Sequence, residues 1–355
     1  MNQFRLTDMM EGARNLVYWA NVKAGEQVLI ITDTKTNLIR VEAVAAVCRE
    51  VGARVTTIIM PAHELPNQEP PPPVAAAMKS ADCIFAPLSM SISHTRARNE
   101  AIEKGARYIG MYGTDDELAT EGARFPPEII FAVARVVSEQ WRKGKRIRVT
   151  CARGTDLTAE IVSPDYVVGW EACVGPIGTH REKGTWLEMF GNFASGFGVV
   201  GVWPEWTAEG EIYFDAAHTF PGRLRTPLKY TVRKGRVIKF EGDPEVVEFF
   251  EGIVQRFGPD AAHLSELMIG LNPKARLMLD DPTHIEAHRR AGCLHVAIGN
   301  SIDPEMRVFP GIHLDNLLIR PTIYIDEEPC VVDGRLLAYD RPEIRALLEK
   351  HGIRL

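Results

Sequence analysis

The sequence predicts an α/β protein in which an N-terminal doubly wound parallel-sheet domain precedes a C-terminal β-rich α+β domain. Two patterns carry this expectation. Up to about residue 144, short continuous apolar runs alternate with segments of helical periodicity, the mark of a parallel sheet covered on both faces. Beyond the basic segment Arg142-Lys143-Gly144-Lys145-Arg146, apolar and polar residues alternate with period two, as in half-buried antiparallel strands. A length of 355 residues fits two domains, expected over residues 1–144 and 145–355.

The first unit opens with Val28-Leu29-Ile30-Ile31-Thr32, an apolar strand, followed by Leu38, Val41, Ala45 and Cys48 at helical spacing. Gly52 closes that helix, and Val55-Thr56-Thr57-Ile58-Ile59-Met60 supplies the next strand. Pro70 to Pro73 is expected to be an extended loop, because proline fits neither ladder. Further strands follow at Cys83–Leu88 and Tyr108–Met111, and ligands are expected at the carboxyl ends of such a sheet. No GxGxxG follows the first strand and no GxxxxGK[ST] occurs, so a nucleotide's phosphates have no glycine cradle.

In the second part, strands are expected at Arg146–Thr150 and Glu211–Phe214. A hairpin is expected from Lys229-Tyr230-Thr231-Val232 through Lys234-Gly235 to Val237-Ile238-Lys239-Phe240. Val246, Phe249, Phe250, Ile253 and Val254 form one stripe of a helix from Pro244 to about Phe257. The remainder reads mostly as strand, with a last helix from about Pro342 to His351.

Composition narrows the function. The chain is 45% hydrophobic and 25% charged, ordinary for a globular protein. Lys and Arg total 41 against 47 Asp and Glu, a net charge of −6 that suits neither nucleic acid nor an anionic membrane. The six cysteines are scattered without a CxxC pair, as expected of thiols in a reducing compartment. The N-terminus leads into an amphipathic stretch, and no apolar run approaches the roughly 18 residues of a membrane span. A cytoplasmic protein acting on a small molecule is expected.

The chemistry-bearing residues concentrate late in the chain. In Gly311-Ile312-His313-Leu314-Asp315, a strand places His313 and Asp315 on the same face. That pair offers an imidazole and a carboxylate to a divalent metal; a surface ion pair is the alternative. His295 lies in the apolar run Cys293–Gly299 and Glu266 in the apolar run Leu264–Gly270, where an imidazole or carboxylate needs a partner or a metal. Together the four form a mixed nitrogen and oxygen donor set suited to Zn, Mn, Co or Fe(II), as one or two ions.

Other segments carry weaker signals. His284 and His288 share a helical face at i and i+4, but Glu286 is misplaced for HExxH, and a solvated helix accounts for them. Ser93-His94-Thr95 follows the third strand, either as a ligand-binding turn or as a helix N-cap. Trp170-Glu171, His180, Lys183 and Trp186 make a polar and aromatic loop region that either lines a substrate pocket or packs as ordinary loop. No GxSxG elbow exists; Ala194-Ser195-Gly196-Phe197 is not one.

These residues together resemble the aminopeptidase T metallopeptidases and their relatives, the 2,5-dihydroxypyridine 5,6-dioxygenases. The resemblance spans nearly the whole chain. It runs through Ser93-His94-Thr95 with Gly105-Ala106-Arg107, Glu209-Gly210, Gly235-Arg236-Val237, Glu266 through Ile269-Gly270-Leu271-Asn272-Pro273, Glu286 with Gly292 and His295, and His313-Leu314-Asp315. It implies an α/β domain joined to a β-rich metal-binding domain, assembled as a homodimer. It also implies metal ligands at Glu266, His295, His313 and Asp315, with the carboxylate of Glu286 close by.

Two departures bear on the reaction. The aminopeptidases carry a metal-holding glutamate after a Ser-Gly pair, where this chain has Phe197, and a tyrosine near Asn300-Ser301-Ile302 that is absent here. The dioxygenases resemble this chain at Phe197 but place a histidine at the position of Glu266.

The resemblance therefore implies a metallohydrolase cleaving an amide or related C–N bond through metal-activated water, with Glu286 or His94 moving the proton. The alternative is a mononuclear Fe(II) dioxygenase opening a hydroxylated pyridine or other aromatic ring, with Phe197 as an apolar wall for the ring. A member that has lost catalysis and only binds a ligand is the third possibility.

Overall fold

The structure is a computed structural model that describes residues 5–168, 173–179, 189–301 and 307–355. The chain divides into two compact units, Met1–Glu128 with Glu171–Phe197, and Ile129–Trp170 with Gly198–Leu355. The units therefore interleave along the sequence, whereas the composition change alone points to a single cut near residue 144.

In the first unit, strands β1 (Gln27–Asp33), β2 (Arg54–Met60), β3 (Cys83–Pro87), β4 (Arg107–Met111) and β8 (Phe190–Phe193) form a parallel sheet of order β2-β1-β3-β4-β8. β3 is buried throughout and β1 at every position after Gln27, as a sheet covered on both faces requires. Helices α1 (Leu6–Trp19), α2 (Leu38–Glu50), α3 (Pro72–Met78), α4 (Arg96–Glu103) and α5 (Glu121–Arg124) also belong to this unit. α1 buries Met9, Ala13, Leu16 and Val17, spaced as one helical stripe.

The proline run departs from expectation. Pro72 and Pro73 open α3 instead of continuing a loop, because the first helical turn has N–H groups without an intrahelical acceptor and loses nothing to proline. Strand β8 was not legible either: Phe190-Gly191-Asn192-Phe193 is too short and too poor in β-branched residues to announce itself.

At the turn between order and reversal of the sheet, Asp33 ends β1 and ties two loops together. Its carboxylate accepts hydrogen bonds from the Ser89 N–H at 2.7 Å and the Lys35 N–H at 2.9 Å. These bonds to its charged form outweigh burial and hold its pKa below the ordinary aspartate value.

The second unit takes α6 (Pro127–Lys143) from Ile129 onward and contains two antiparallel sheets. The larger has order β13-β12-β10-β6-β5-β17-β18-β19. It is made of β5 (Arg146–Thr150), β6 (Asp156–Glu160), β10 (Glu209–Phe214), β12 (Leu228–Arg233), β13 (Arg236–Glu241), β17 (Thr322–Ile325), β18 (Glu328–Val332) and β19 (Arg335–Leu336). The smaller has order β11-β16-β15-β14-β9-β7, from β7 (Val167–Val168), β9 (Val199–Val202), β11 (Ala216–Ala217), β14 (Leu264–Gly270), β15 (Leu294–Gly299) and β16 (His313–Leu318).

Several elements fall where the sequence puts them. β12 and β13 form the expected hairpin, and Lys234 and Gly235 both have positive φ, 48° and 67°, as a tight two-residue turn needs. Helix α7 (Pro244–Phe257) begins at an Asp243 cap that accepts from the Glu245 N–H at 3.1 Å, and α8 (Pro342–Lys350) is the last helix. Residues 271–293, where a solvated helix was expected around His284 and His288, are instead a long loop with one short 3₁₀ turn at Ala287–Arg289. Among the described residues, no helix is long and apolar enough to cross a membrane.

One buried ion pair gives a direct test of the first unit. Arg40 Nη1 lies 2.8 Å from Glu117 Oε1, with the two side chains 3% and 0% exposed. Glu117→Ala leaves a guanidinium buried without its counter-charge, so unfolding free energy should fall by about 3–5 kcal/mol. Denaturant titration, read as a lower midpoint at constant slope, measures this.

Candidate metal centre

Strand register assembles the centre. Glu266 in β14 pairs with Ala297 in β15, and Ala297 pairs with Asp315 in β16. Paired residues share a face, so Glu266, Ala297 and Asp315 form one row across the sheet. His295 and His313 lie two residues from Ala297 and Asp315, so the period of two puts them on that face as well. The four donors predicted from the sequence thus surround the methyl group of Ala297.

Local irregularities refine the row. A register shift between β14 and β15 falls at Leu264/Glu266, and such bulges re-aim the neighbouring side chain. Gly299, paired with His313, has φ +107°, and a Cβ there would meet the Ile312 carbonyl oxygen at 2.1 Å. Only glycine permits this close pairing. The His313 ring is oriented by its Nδ1, 2.9 Å from the Asn300 carbonyl oxygen. A carbonyl only accepts, so Nδ1 carries the hydrogen and Nε2 is the ring atom left for a cation.

The donor atoms lie close together without satisfying one another. His295 Nε2 is 3.3 Å from Glu266 Oε1; His313 Nε2 is 3.7 Å from Glu266 Oε1 and 3.6 Å from Asp315 Oδ1. Asp315 Oδ1, His295 Nδ1 and His288 Nε2 are buried with no hydrogen-bond partner. Metal–ligand bonds of about 2.0–2.2 Å place adjacent donors on one ion about 3.0–3.5 Å apart, close to these spacings. Buried polar atoms left unpaired cost about 1–3 kcal/mol each, so the arrangement fits a divalent cation better than a closed hydrogen-bond network.

Two overlapping donor sets result, Glu266–His313–Asp315 and His288–His295–Asp315, each with donor atoms within 4.8 Å of one another. Their chemistry, imidazole with carboxylate, suits Zn, Mn, Co or Fe(II). Electrostatics agree: burial by itself would depress the His313 pKa, but Asp315 and Glu266 outweigh it and hold it well above the usual imidazole value. Burial likewise works to raise Asp315, yet His313 beside it holds its carboxyl well below the usual carboxylate range. The proton on His313 supplies positive charge that a cation would bring instead.

Three histidines that the sequence analysis did not place at the centre surround it. His284 and His288 do not lie on a solvated helix: both are buried, on the loop between β14 and β15. The Asp281 carboxylate accepts from the Thr283 N–H at 3.0 Å and makes a turn there, which Asp281-Pro282-Thr283 could have signalled. His288 stacks on His295 with centroids 4.4 Å apart and planes 11° from parallel. Burial, then His295, pushes its pKa well below the ordinary value. His218, just after β11, accepts the Asp315 N–H on Nδ1 at 3.4 Å, and burial pushes its pKa down to about 4, as it does that of His284.

Other expected site residues lie differently. Glu286 is buried with both oxygens on Arg276: Oε1 accepts from the backbone N–H at 2.9 Å and from Nε at 2.8 Å, and Oε2 from Nη2 at 2.8 Å. These contacts anchor the histidine loop and occupy both oxygens of the residue expected to carry a proton. Phe197 stacks on Trp19 at 4.4 Å and 8°, so the indole covers one face of the ring expected to wall a substrate.

His94 belongs to the first unit, where its N–H donates to Asn67 Oδ1 at 2.9 Å. Its neighbour Thr95 caps α4 by accepting from the Arg98 N–H at 3.3 Å, while Ser93 Oγ lies 2.8 Å from the Tyr112 hydroxyl and from Asn192 Oδ1. Glu171, His180 and Trp186, expected to line a substrate pocket, lie outside the described residues.

Comparison with known proteins follows the same lines. A family model described as NicX, 2,5-dihydroxypyridine 5,6-dioxygenase, matches residues 8–338. Among solved structures, the chain is similar to the 2,5-dihydroxypyridine dioxygenase from Pseudomonas putida KT2440, with TM-score 0.77 and 18% identity over 96% of this chain and 99% of that one. It is also similar to AmpT from Thermus thermophilus, with TM-score 0.59 and 12% identity over 94% of this chain and 100% of that one. Both are likenesses of fold. No curated protein matches the sequence.

Two outcomes are expected at the centre. Because the raised pKa of His313 keeps its ring protonated near neutrality, loading Mn²⁺ at pH 7 should release about one proton per chain, and fewer as pH rises through that pKa. Calorimetry in buffers of different ionisation enthalpy reads the number. Glu286→Gln should cost about 1–3 kcal/mol of stability by loosening the loop while leaving the shape of the pH–rate profile unchanged. A lost limb in that profile would instead restore a proton-carrying role to Glu286.

Proposed function

The chain belongs to the NicX family, and from that membership we propose that it is a metal-dependent dioxygenase that opens a hydroxylated pyridine or related aromatic ring. The family match over residues 8–338 is the observation that carries this reading. It also moves the balance of the sequence-based expectations from amide hydrolysis to ring opening.

In this reading Glu266, His295, His313 and Asp315 hold the ion. An Fe(II) ion held by these four residues would supply the oxygen-dependent redox chemistry that ring opening requires. The residues do the rest. Asn300 fixes the His313 tautomer through its carbonyl, so that Nε2 offers its lone pair. The two carboxylates balance a divalent charge inside a buried site, where an uncompensated charge is costly. His218 Nδ1, occupied by the Asp315 N–H, keeps its own hydrogen on Nε2 as a neutral donor. Ala297 contributes only a methyl group to the middle of the row, and the buried Leu317 and Met268 flank His295 across the sheet as apolar neighbours.

Protein loaded with Fe(II) under anaerobic conditions should consume one equivalent of O₂ per 2,5-dihydroxypyridine or related ring, with loss of the aromatic absorbance. His313→Ala and Asp315→Ala should each reduce turnover by at least about 10²-fold while the protein stays folded, as expected when a ligand that positions the reacting atoms is lost. Hydrolysis of amides by the Zn or Mn form, with no oxygen uptake by the iron form across hydroxypyridines and catechols, would overturn the proposal in favour of the hydrolase.

A further inference from the structure

We infer that the second unit carries a binding site for a small oxyanion, a carboxylate or phosphate gripped by Arg153 and Arg223, at the far end of β16 from the metal donors. The inference rests neither on a bound metal nor on ring opening.

The site is a cavity of about 320 Å³, at the lower end of the range for small-ligand pockets. Ile319 on its wall follows the last residue of β16, so an extended strand of about 20 Å separates it from His313.

Asp215 builds the site. Its side chain is only 4% exposed, and Oδ2 accepts from the Ile319 N–H at 2.8 Å. Oδ1 accepts from Nη1 of both Arg153 and Arg223, the latter at 3.2 Å. One buried carboxylate thus holds two mutually repelling guanidinium groups against a single oxygen atom. These bonds use one nitrogen of each fork, and both side chains line the cavity, 42% and 53% exposed. The rest of such a planar fork matches paired oxygens of a carboxylate or phosphate.

The backbone holds the two cations in place. The Leu224 N–H donates to the Asp215 carbonyl at 2.9 Å, which fixes Arg223 beside it. Arg153 sits on the β5–β6 turn, closed by the Gly154 N–H on the Cys151 carbonyl at 3.1 Å. The Tyr213 N–H of β10 donates to Thr155 Oγ1 at 3.0 Å and ties that turn to the sheet. Cations fixed beforehand lose little freedom when a ligand arrives.

The remaining lining favours an anion. Arg320 and Asp333 pair with each other, so the cavity keeps one positive charge in surplus. Leu318 and Ile319 are buried and give an apolar wall, against which an ion pair is stronger than in open water. Both guanidinium groups are partly hydrated, so the ligand must offer two oxygens at once to replace that water. Chloride, a single atom, cannot span both forks.

Cys151 makes the site measurable: the other five cysteines are buried, whereas Cys151 is partly exposed and lines this cavity. Full-length protein is treated with iodoacetamide at constant pH and ionic strength, and alkylation of Cys151 is followed by peptide mass spectrometry. Inorganic phosphate or succinate should slow it saturably relative to sodium chloride. Protection by phosphate alone identifies a phosphate site, and by succinate alone a carboxylate site. Arg223→Gln should raise the protecting concentration at least about 10-fold, as loss of a charge-assisted hydrogen bond requires. Equal rates in phosphate, succinate and chloride would overturn the proposal, as would undiminished protection in Arg223→Gln. The competition in the unaltered protein decides the matter even if the variant fails to fold.

Discussion

The whole of the centre depends on the register of three neighbouring strands. β14, β15 and β16 are aligned so that Glu266, Ala297 and Asp315 make one row, with His295 and His313 one step away on the same face. A slip of one residue in any of these pairings would turn its donors to the opposite face, because side chains alternate with period two. Register is pinned where it matters most: Gly299 allows the close approach to β16, and the irregularity at Leu264/Glu266 sets the aim of Glu266. Here the fold and the chemistry are specified by the same hydrogen bonds.

Around that row, the protein spends a loop on holding imidazoles. Residues 271–293 carry His284 and His288 into the interior and are anchored by the fork of Arg276 on Glu286. His313 is steered by a backbone carbonyl, and His218 by the backbone N–H of Asp315. Orientation by main-chain groups is rigid, because those groups are already fixed by the sheet and cannot rotate away as a side chain would.

How much of this the sequence reveals depends on the range of the interaction involved. Strands β1 to β5, the Lys234-Gly235 hairpin and the Asp243-capped helix are written in local patterns and were legible, while β8 was not. The four donors were legible too, because a carboxylate or imidazole inside an apolar run needs a reason to be there. Pro72 and Pro73 misled because a proline forbids a helix interior but favours its first turn, and only neighbouring packing decides which applies. His284 and His288 misled because an i, i+4 spacing is blind to a turn at Asp281 that redirects the chain inward. Phe197 could be read as open to substrate because no local signal pairs it with Trp19, a residue far away in sequence. The family match favours ring opening over hydrolysis, the reverse of the preference that Glu266 suggests.

The return of the chain to its first sheet bears on how the protein is made. β8 completes the parallel sheet beside β4, yet among the described residues it is separated from β4 by three strands, β5, β6 and β7, and by helix α6 of the second unit. A nascent chain emerging from the ribosome therefore presents β4 as a bare sheet edge while the intervening segments are still being synthesised. The two units cannot be exchanged between proteins as beads on a string, because each is built from two separate stretches of the chain.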